Sequence, residues 1–350
     1  MKAGVLYGVG DLRIEDRPDP QFGADDLVVQ VTYNGLCGTD ATEYAKGSIM
    51  VPLAKPHPGS GHVGPTILGH EFIGTVVDAG PDARSRIGSR VACGAGVSCG
   101  SCPWCLSGRT NLCASYYTLG LSTHGGLAEF VAAPSRICVD IPDAVADIDA
   151  ALAQPLAVGI HGVRRANLRS GDSVVLLGVG AIGSFILAAL SAHDGPIVAM
   201  DIDEGRLAVA RTLGATTTQI IPPDITPAEI RELLPDGAQT VFETSGVGGG
   251  AERAFALAAR GGDVVLVGLN KTPQPLNLAD IVLREVNVQT TVAHVCGTDI
   301  PEALALLDRM RLSEVLPAYA VPLDDVVAQG FEPLSTGSAH GKILVDPRHG

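Results

Sequence analysis

Apolar and polar positions along the chain change rhythm near residue 171. Before it, short stretches at 27–33, 72–78 and 127–132 alternate apolar with polar residues between glycines and prolines. That pattern predicts half-buried strands in an irregular, β-rich domain. Beyond it, apolar runs of strand length alternate with helical periods. Strands are predicted at 173–177, 197–201, 240–244 and 263–267, with 286–292 as the last of the series. Helices are predicted at 181–193, 206–213 and 251–259. Parallel strands need helical crossovers, so the second fold class is α/β, a doubly wound parallel sheet. The tail adds a helix at 301–310 and a closing strand at 342–345, expected to return to the first domain. The boundaries expected are 1–153 with 293–350 for one domain and 154–292 for the other.

Residues 173–192 contain no charge and resemble a membrane span on hydropathy alone. Gly178, Gly180 and Gly183 punctuate the stretch, and another apolar run follows at 196–200. A buried strand, a tight turn and a buried helix account for it better. The first sixteen residues carry Asp11 and Arg13 and lack a long apolar core, so no signal peptide is expected. With 46% hydrophobic residues the chain has ample material for a core. A formal net charge of −14 repels phosphate backbones and anionic lipid, which excludes nucleic acid and membrane surfaces as partners. The expectation is a soluble, cytoplasmic protein.

Eight cysteines occur, at 37, 93, 99, 102, 105, 113, 138 and 296. Without an export signal disulfides are not the default, and the crowding at 99–113 points to metal. Cys99-x2-Cys102-x2-Cys105-x7-Cys113 can close a tetrahedral site with no open position, a structural zinc. An iron–sulfur run shares the first three spacings, but it places its fourth cysteine after three residues and follows it with proline. Here the gap is seven and Ala114 follows. A nucleic-acid zinc ribbon conflicts with the acidic balance. Cys93, Cys138 and Cys296 read as small buried hydrophobes.

Gly178-Val179-Gly180-Ala181-Ile182-Gly183 is a GxGxxG run with a predicted strand before it, a helix opening within it and a second strand after it. In that context the glycines allow a tight turn and let a pyrophosphate approach a helix N-terminus. Asp201 ends the second strand 18 positions after Gly183. A carboxylate there accepts hydrogen bonds from ribose hydroxyls and repels a 2′-phosphate, which predicts NAD. A third constellation is sparser: Cys37-Gly-Thr39-Asp40, and Gly69-His70-Glu71 beginning 32 positions after Cys37. Together they can offer thiolate, imidazole and carboxylate to one zinc that keeps an open position.

These residues carry a resemblance to the zinc-dependent medium-chain alcohol dehydrogenases. CGTD, GHE, the four-cysteine run, GVGAIG and the terminal GKILV at 341–345 occur in that family's order along the full chain. Residues 55–58 (KPHP), 65–72 (PTILGHEF) and 280–285 (DIVLRE) resemble the butanediol dehydrogenases, with sorbitol and other polyol dehydrogenases as neighbours.

The resemblance implies a GroES-like catalytic domain split around a Rossmann domain, NAD and two zinc ions per subunit, and a homodimer or homotetramer. It implies a catalytic zinc on Cys37 and His70 with Glu71 as a ligand or close neighbour, and Asp40 supporting His70. Thr39 falls where the family keeps a hydroxyl that passes the alcohol proton outward. Thr42 stands where some relatives have a relay histidine. Arg206 falls at a ribose-contacting position, and Lys342 at one that neutralises pyrophosphate. Thr39, Thr42, Glu43, Tyr44 and Leu127 would line the substrate pocket, Glu43 suiting a hydroxylated or amino-bearing substrate.

One departure stands out. Where polyol enzymes carry a zinc-proximal glutamate, and others a cysteine, this chain has Gln154. The implied activity is hydride transfer between NAD and a small secondary alcohol, diol or polyol. The alternatives are a cyclic or terpene alcohol as substrate, or a non-enzymatic dinucleotide sensor or scaffold on the same fold. A zinc-free reductase would lack Cys37 and His70.

Overall fold

The alternation at 27–33 and 72–78 becomes two long strands, Asp26–Gly35 and Glu71–Ala79, paired antiparallel with Asn34 opposite Phe72 and Gly35 opposite Glu71. The computed structural model describes residues 1–47, 49–270, 272–339 and 341–348. The chain divides into two units, Met1–Ala157 with His294–Gly350, and Val158–Ala293. The first division falls inside the helix Ala153–Arg165, which carries Pro155 in its first turn, where proline is tolerated.

In the first unit the two long strands sit within a seven-stranded sheet. Its path runs Cys138–Asp140, Arg90–Cys93, Glu71–Ala79, Asp26–Gly35, Lys342–Asp346, Ala318–Pro322, and Phe130–Pro134 also pairs with Asp26–Gly35. The inward residues of these strands, Leu27, Val29, Val31, Phe72, Val76 and Val91, are buried in one cluster. Truncating Phe72 to alanine there costs about 3–5 kcal/mol. The closing strand Lys342–Asp346 lies antiparallel to Asp26–Gly35, with Leu344 opposite Gly35. Lys342, at its start, thereby reaches the end of the strand that carries Cys37 just beyond it.

The second unit holds a six-stranded, wholly parallel sheet in the order Thr217–Ile220, Ile197–Asp201, Val174–Leu177, Ala238–Glu243, Ala258–Leu266, Asn287–Thr290. Counted within the unit that order is 3-2-1-4-5-6, the doubly wound arrangement in which ligands bind where the order reverses. The uncharged stretch at 173–192 is the central strand Val174–Leu177 and the helix Ala181–Ala189. Among the described residues no helix is long and apolar enough to cross a membrane.

Several elements differ from expectation. The strand Thr217–Ile220 (TTQI) has no apolar alternation, because as an edge strand it is largely exposed. The helix Pro227–Leu233 opens with a capping box in which the Thr226 side chain and Glu229 exchange hydrogen bonds. The tail helix begins at Cys296 rather than Pro301: the buried Asp299 carboxylate accepts the N–H of Val295 at 2.6 Å and secures an extra turn. The strand predicted at 286–292 covers only Asn287–Thr290.

Candidate active site and metal centres

Cys37 lies two residues past the long strand Asp26–Gly35 and caps the helix Gly38–Lys46. A thiolate at a helix N-terminus faces the unsatisfied N–H groups and the positive dipole end. Asp40, fully buried in the first helical turn, accepts the Cys37 N–H at 2.9 Å through one carboxylate oxygen. Its other oxygen lies 3.3 Å from His70 Nδ1. One carboxylate thus fixes both the turn that carries the thiol and the ring orientation of the histidine, leaving Nε2 for a metal.

His70 and Glu71 follow Gly69, whose φ is +92°. A Cβ at that position would meet Leu127 N at 2.7 Å and Asn34 Cγ at 2.8 Å, so the turn requires glycine. The ligand atoms of Cys37, His70 and Glu71 all lie within 4.8 Å of one another. Burial opposes a charge on His70, but the Asp40 carboxylate and the Cys37 thiol outweigh it and hold its pKa well above the ordinary value. A buried sulfur, nitrogen and oxygen donor set with a supporting carboxylate fits zinc.

Lys342, for which the resemblance implies a pyrophosphate contact, is engaged within the first unit. It is 9% exposed, its ammonium contacts the Glu71 carboxylate, and it donates to the Leu36 carbonyl at 2.9 Å. Both hydrogen-bonding and charge demands of the ammonium are met at the triad itself. The expected pocket residues have partners within the first unit. Glu43 is 1% exposed and accepts the N–H groups of Ile49, Met50 and Val51 at 2.8, 3.0 and 3.2 Å, so it anchors the following loop. Leu127 has no exposed surface, Tyr44 packs on Phe331 with ring centroids 5.3 Å apart, and the Thr42 hydroxyl donates to Gly38 O at 2.8 Å. Thr39 Oγ1 stays beside the triad, 3.8 Å from Cys37 Sγ. Gln154 lies partly buried in the first turn of the helix Ala153–Arg165.

The four-cysteine run forms a second centre. Cys102 Sγ is 3.5 Å and Cys99 Sγ 3.9 Å from Cys105 Sγ, and all four sulfurs lie within 4.8 Å of one another. A tetrahedron with metal–sulfur bonds of about 2.3 Å has edges of about 3.8 Å, so the sulfurs already stand at zinc spacing. Backbone N–H groups point at the sulfurs: Cys102 N to Cys99 at 3.3 Å, and Cys99 N to Cys113 at 3.2 Å. The N–H and hydroxyl of Ser101 lead in pulling the Cys99 thiol down to about 6, while burial pushes Cys113 up to about 11. Cys93, Cys138 and Cys296 are buried as expected.

In the second unit, Gly178 adopts φ +93° directly after the central strand, and Gly180 caps the helix Ala181–Ala189. A Cβ on Gly183 would meet Thr244 Oγ1 at 3.0 Å, so the helix packs closely on the neighbouring loop. A cavity of about 280 Å³ opens here, lined by Gly178, Gly180, Asp201, Arg206, Thr244 and Arg253 among others. Asp201 is 5% exposed. It accepts Val179 N at 2.7 Å and Asp203 N at 3.0 Å, each oxygen keeping one lone pair for a ligand hydroxyl. Arg206 lies 3.6 Å from it. Arg253 had no sequence signal, since it interrupts an otherwise apolar helical face.

With this geometry in place, the relatives are informative. Residues 23–143 match the alcohol dehydrogenase GroES-like domain, and residues 181–309 match the zinc-binding dehydrogenase domain. The chain is 31% identical to (R,R)-butanediol dehydrogenase of Bacillus subtilis (strain 168) over 352 residues, covering 99% of this chain and all of that one. It is 31% identical to sorbitol dehydrogenase of the same organism over 293 residues, 82% of this chain and 81% of the relative. The crystal structure of 2R,3R-butanediol dehydrogenase from Bacillus subtilis superposes with a TM-score of 0.89 at 29% identity, covering 99% of both chains. The chain belongs to the zinc-dependent medium-chain alcohol dehydrogenases. It is an enzyme of that family acting on CH–OH groups, and the sensor reading is not favoured.

Proposed function

We propose that the protein transfers hydride between NAD and the secondary alcohol of a vicinal diol or polyol. The observation that carries this reading is the convergence of Cys37, His70 and Glu71, buttressed by Asp40 and Lys342. Zinc held by Cys37 and His70, with Glu71 as third ligand or neighbour, supplies Lewis acidity to the alcohol oxygen when bound. Thr39 Oγ1 accepts the alcohol proton and passes it on. Thr42 is engaged with a backbone carbonyl and is not the next step of that relay. The relatives' names favour diols and polyols over a terpene alcohol.

The buried Asp201 carboxylate favours NAD over NADP. The two separate ligand sets favour two zinc ions per subunit, one on the triad and one on the four-cysteine lobe. Self-association is favoured by the open edge of the strand Asn287–Thr290, where Val288 is 47% exposed, and by the neighbouring Val282 and Leu283, 70% and 76% exposed. NADH formation across a panel of diols, polyols and cyclic secondary alcohols tests the substrate class. Preference for a simple primary alcohol would overturn it. Light scattering of the eluted protein tests the oligomer, and a monomeric mass would overturn that part.

A further inference from the structure

Ser245, Val247 and Gly248 line one wall of the second unit's cavity, and they belong to a stretch, Gly246 to Gly250, in which four of five residues are glycine. Such a stretch has great freedom in the unfolded chain, and its one side chain, Val247, is half exposed, so holding it in one shape is costly. The opposite wall is Ile221-Pro222-Pro223, just past the edge strand Thr217–Ile220. Between them stands Arg253, on the helix Gly250–Leu257 and 6% exposed. One guanidinium nitrogen donates to Pro223 O at 2.9 Å and another to Gly248 O at 3.0 Å. Its Nε is buried without a hydrogen-bond partner.

An arginine buried this deeply is costly to keep. Its charge bears on Glu243, whose carboxylate accepts the N–H groups of Ser245 and Gly246 at 3.0 and 3.1 Å. Gln274 holds the Gly249 N–H at 2.7 Å from the outer side. Acid, arginine and amide thus grip a loop whose own contacts are mainly backbone turns, such as Gly250 N to Val247 O at 3.1 Å.

We infer that Arg253 is a positioning residue of the cofactor pocket, a clasp that spans both walls and fixes their separation for the adenosine half of a dinucleotide. This rests on the pocket binding NAD. Planarity matters, because two nitrogens of one rigid fork reach two carbonyls on different loops. Lysine concentrates its three donors on one nitrogen and cannot reproduce the fork's spacing toward two carbonyls on different loops.

The test uses the zinc-loaded, full-length protein and two probes, NAD and ADP-ribose, with Arg253→Ala and Arg253→Lys. Hydrogen bonds from a charged donor predict that Arg253→Ala weakens ADP-ribose binding in calorimetry by roughly ten- to a hundredfold. KM for NAD rises much more than kcat falls, amide exchange accelerates at 246–250, and Arg253→Lys recovers only part of the affinity. Unchanged ADP-ribose affinity in Arg253→Ala overturns the inference, as does a fall in kcat without a rise in KM. Full recovery by Arg253→Lys overturns the two-carbonyl clasp. If Arg253→Ala does not fold, Arg253→Lys carries the test, and its unchanged affinity and exchange overturn the inference. Failure of the wild-type protein to bind ADP-ribose overturns instead the dinucleotide reading on which it rests.

Discussion

Replacing Asp201 by asparagine removes one charge from the cofactor pocket while keeping its size. The structure explains why asparagine is the better choice than alanine. The carboxylate holds Val179 N at 2.7 Å and Asp203 N at 3.0 Å, so alanine would also release the glycine turn. Asparagine retains one acceptor. A 2′-phosphate would replace a ribose hydroxyl that otherwise donates to Asp201, placing like charges about 4 Å apart. At an effective dielectric near 20 that repulsion is about 4 kcal/mol per charge pair. Arg206, 3.6 Å from Asp201, offsets part of it, but its side chain is 52% exposed and solvent weakens its effect. A net penalty of about 2–3 kcal/mol remains, which corresponds to roughly 30- to 150-fold discrimination for NAD over NADP. Initial rates with each cofactor at a fixed alcohol give the two kcat/KM values. Asp201→Asn is expected to lose affinity for NAD and to narrow the ratio by about tenfold or more. A wild-type ratio near one refutes the electrostatic argument. An unchanged ratio in the variant shows that selectivity arises elsewhere.

Three further outcomes are expected. Thr39→Val lowers kcat by roughly 10²- to 10⁴-fold while zinc content and NAD binding persist, because the proton acceptor is gone; near-normal kcat would mean another exit for the proton. Lys342→Met leaves the buried Glu71 carboxylate without its cation, so the zinc-stripped protein loses about 3–5 kcal/mol. The zinc-loaded protein loses much less, since the metal supplies positive charge, and equal falls in melting temperature for both forms would show that Glu71 does not sense the metal. Cys99→Ser combined with Cys102→Ser is expected to reduce bound zinc from two ions to one by elemental analysis; a single ion in the unaltered protein would mean that only one ligand set is used.

What the sequence revealed depended on how locally each feature is encoded. The strand–glycine–helix turn at 174–189 and the four cysteines at 99–113 are contiguous, and their residue types are dictated by backbone geometry and ligand chemistry. The polar edge strand Thr217–Ile220 carries no period to read, because neither face is wholly buried. The partners of charged groups were the hardest part. Glu43 sits one turn beyond Thr39 on the same helix, which suggested a pocket residue, yet its carboxylate turns to the N–H groups of 49–51. Lys342 meets Glu71 only because the last strand crosses back beside the strand ending at Gly35, a pairing over some 270 residues that no local pattern announces. Arg253 is similar: its role appears only when two loops from different crossovers flank one helix.

The central claim is that the Cys37–His70–Glu71 centre holds a zinc needed for alcohol oxidation by NAD. The direct test follows NADH formation from a vicinal diol by protein as purified, after removal of metal by a chelator, and after zinc is returned, with bound zinc counted at each stage. The account predicts turnover that disappears with the more readily lost zinc and returns with it, while the four-cysteine ion stays in place. Full activity after the triad's zinc has gone, or fully metallated protein that forms no NADH from any diol, polyol or cyclic alcohol, would contradict it.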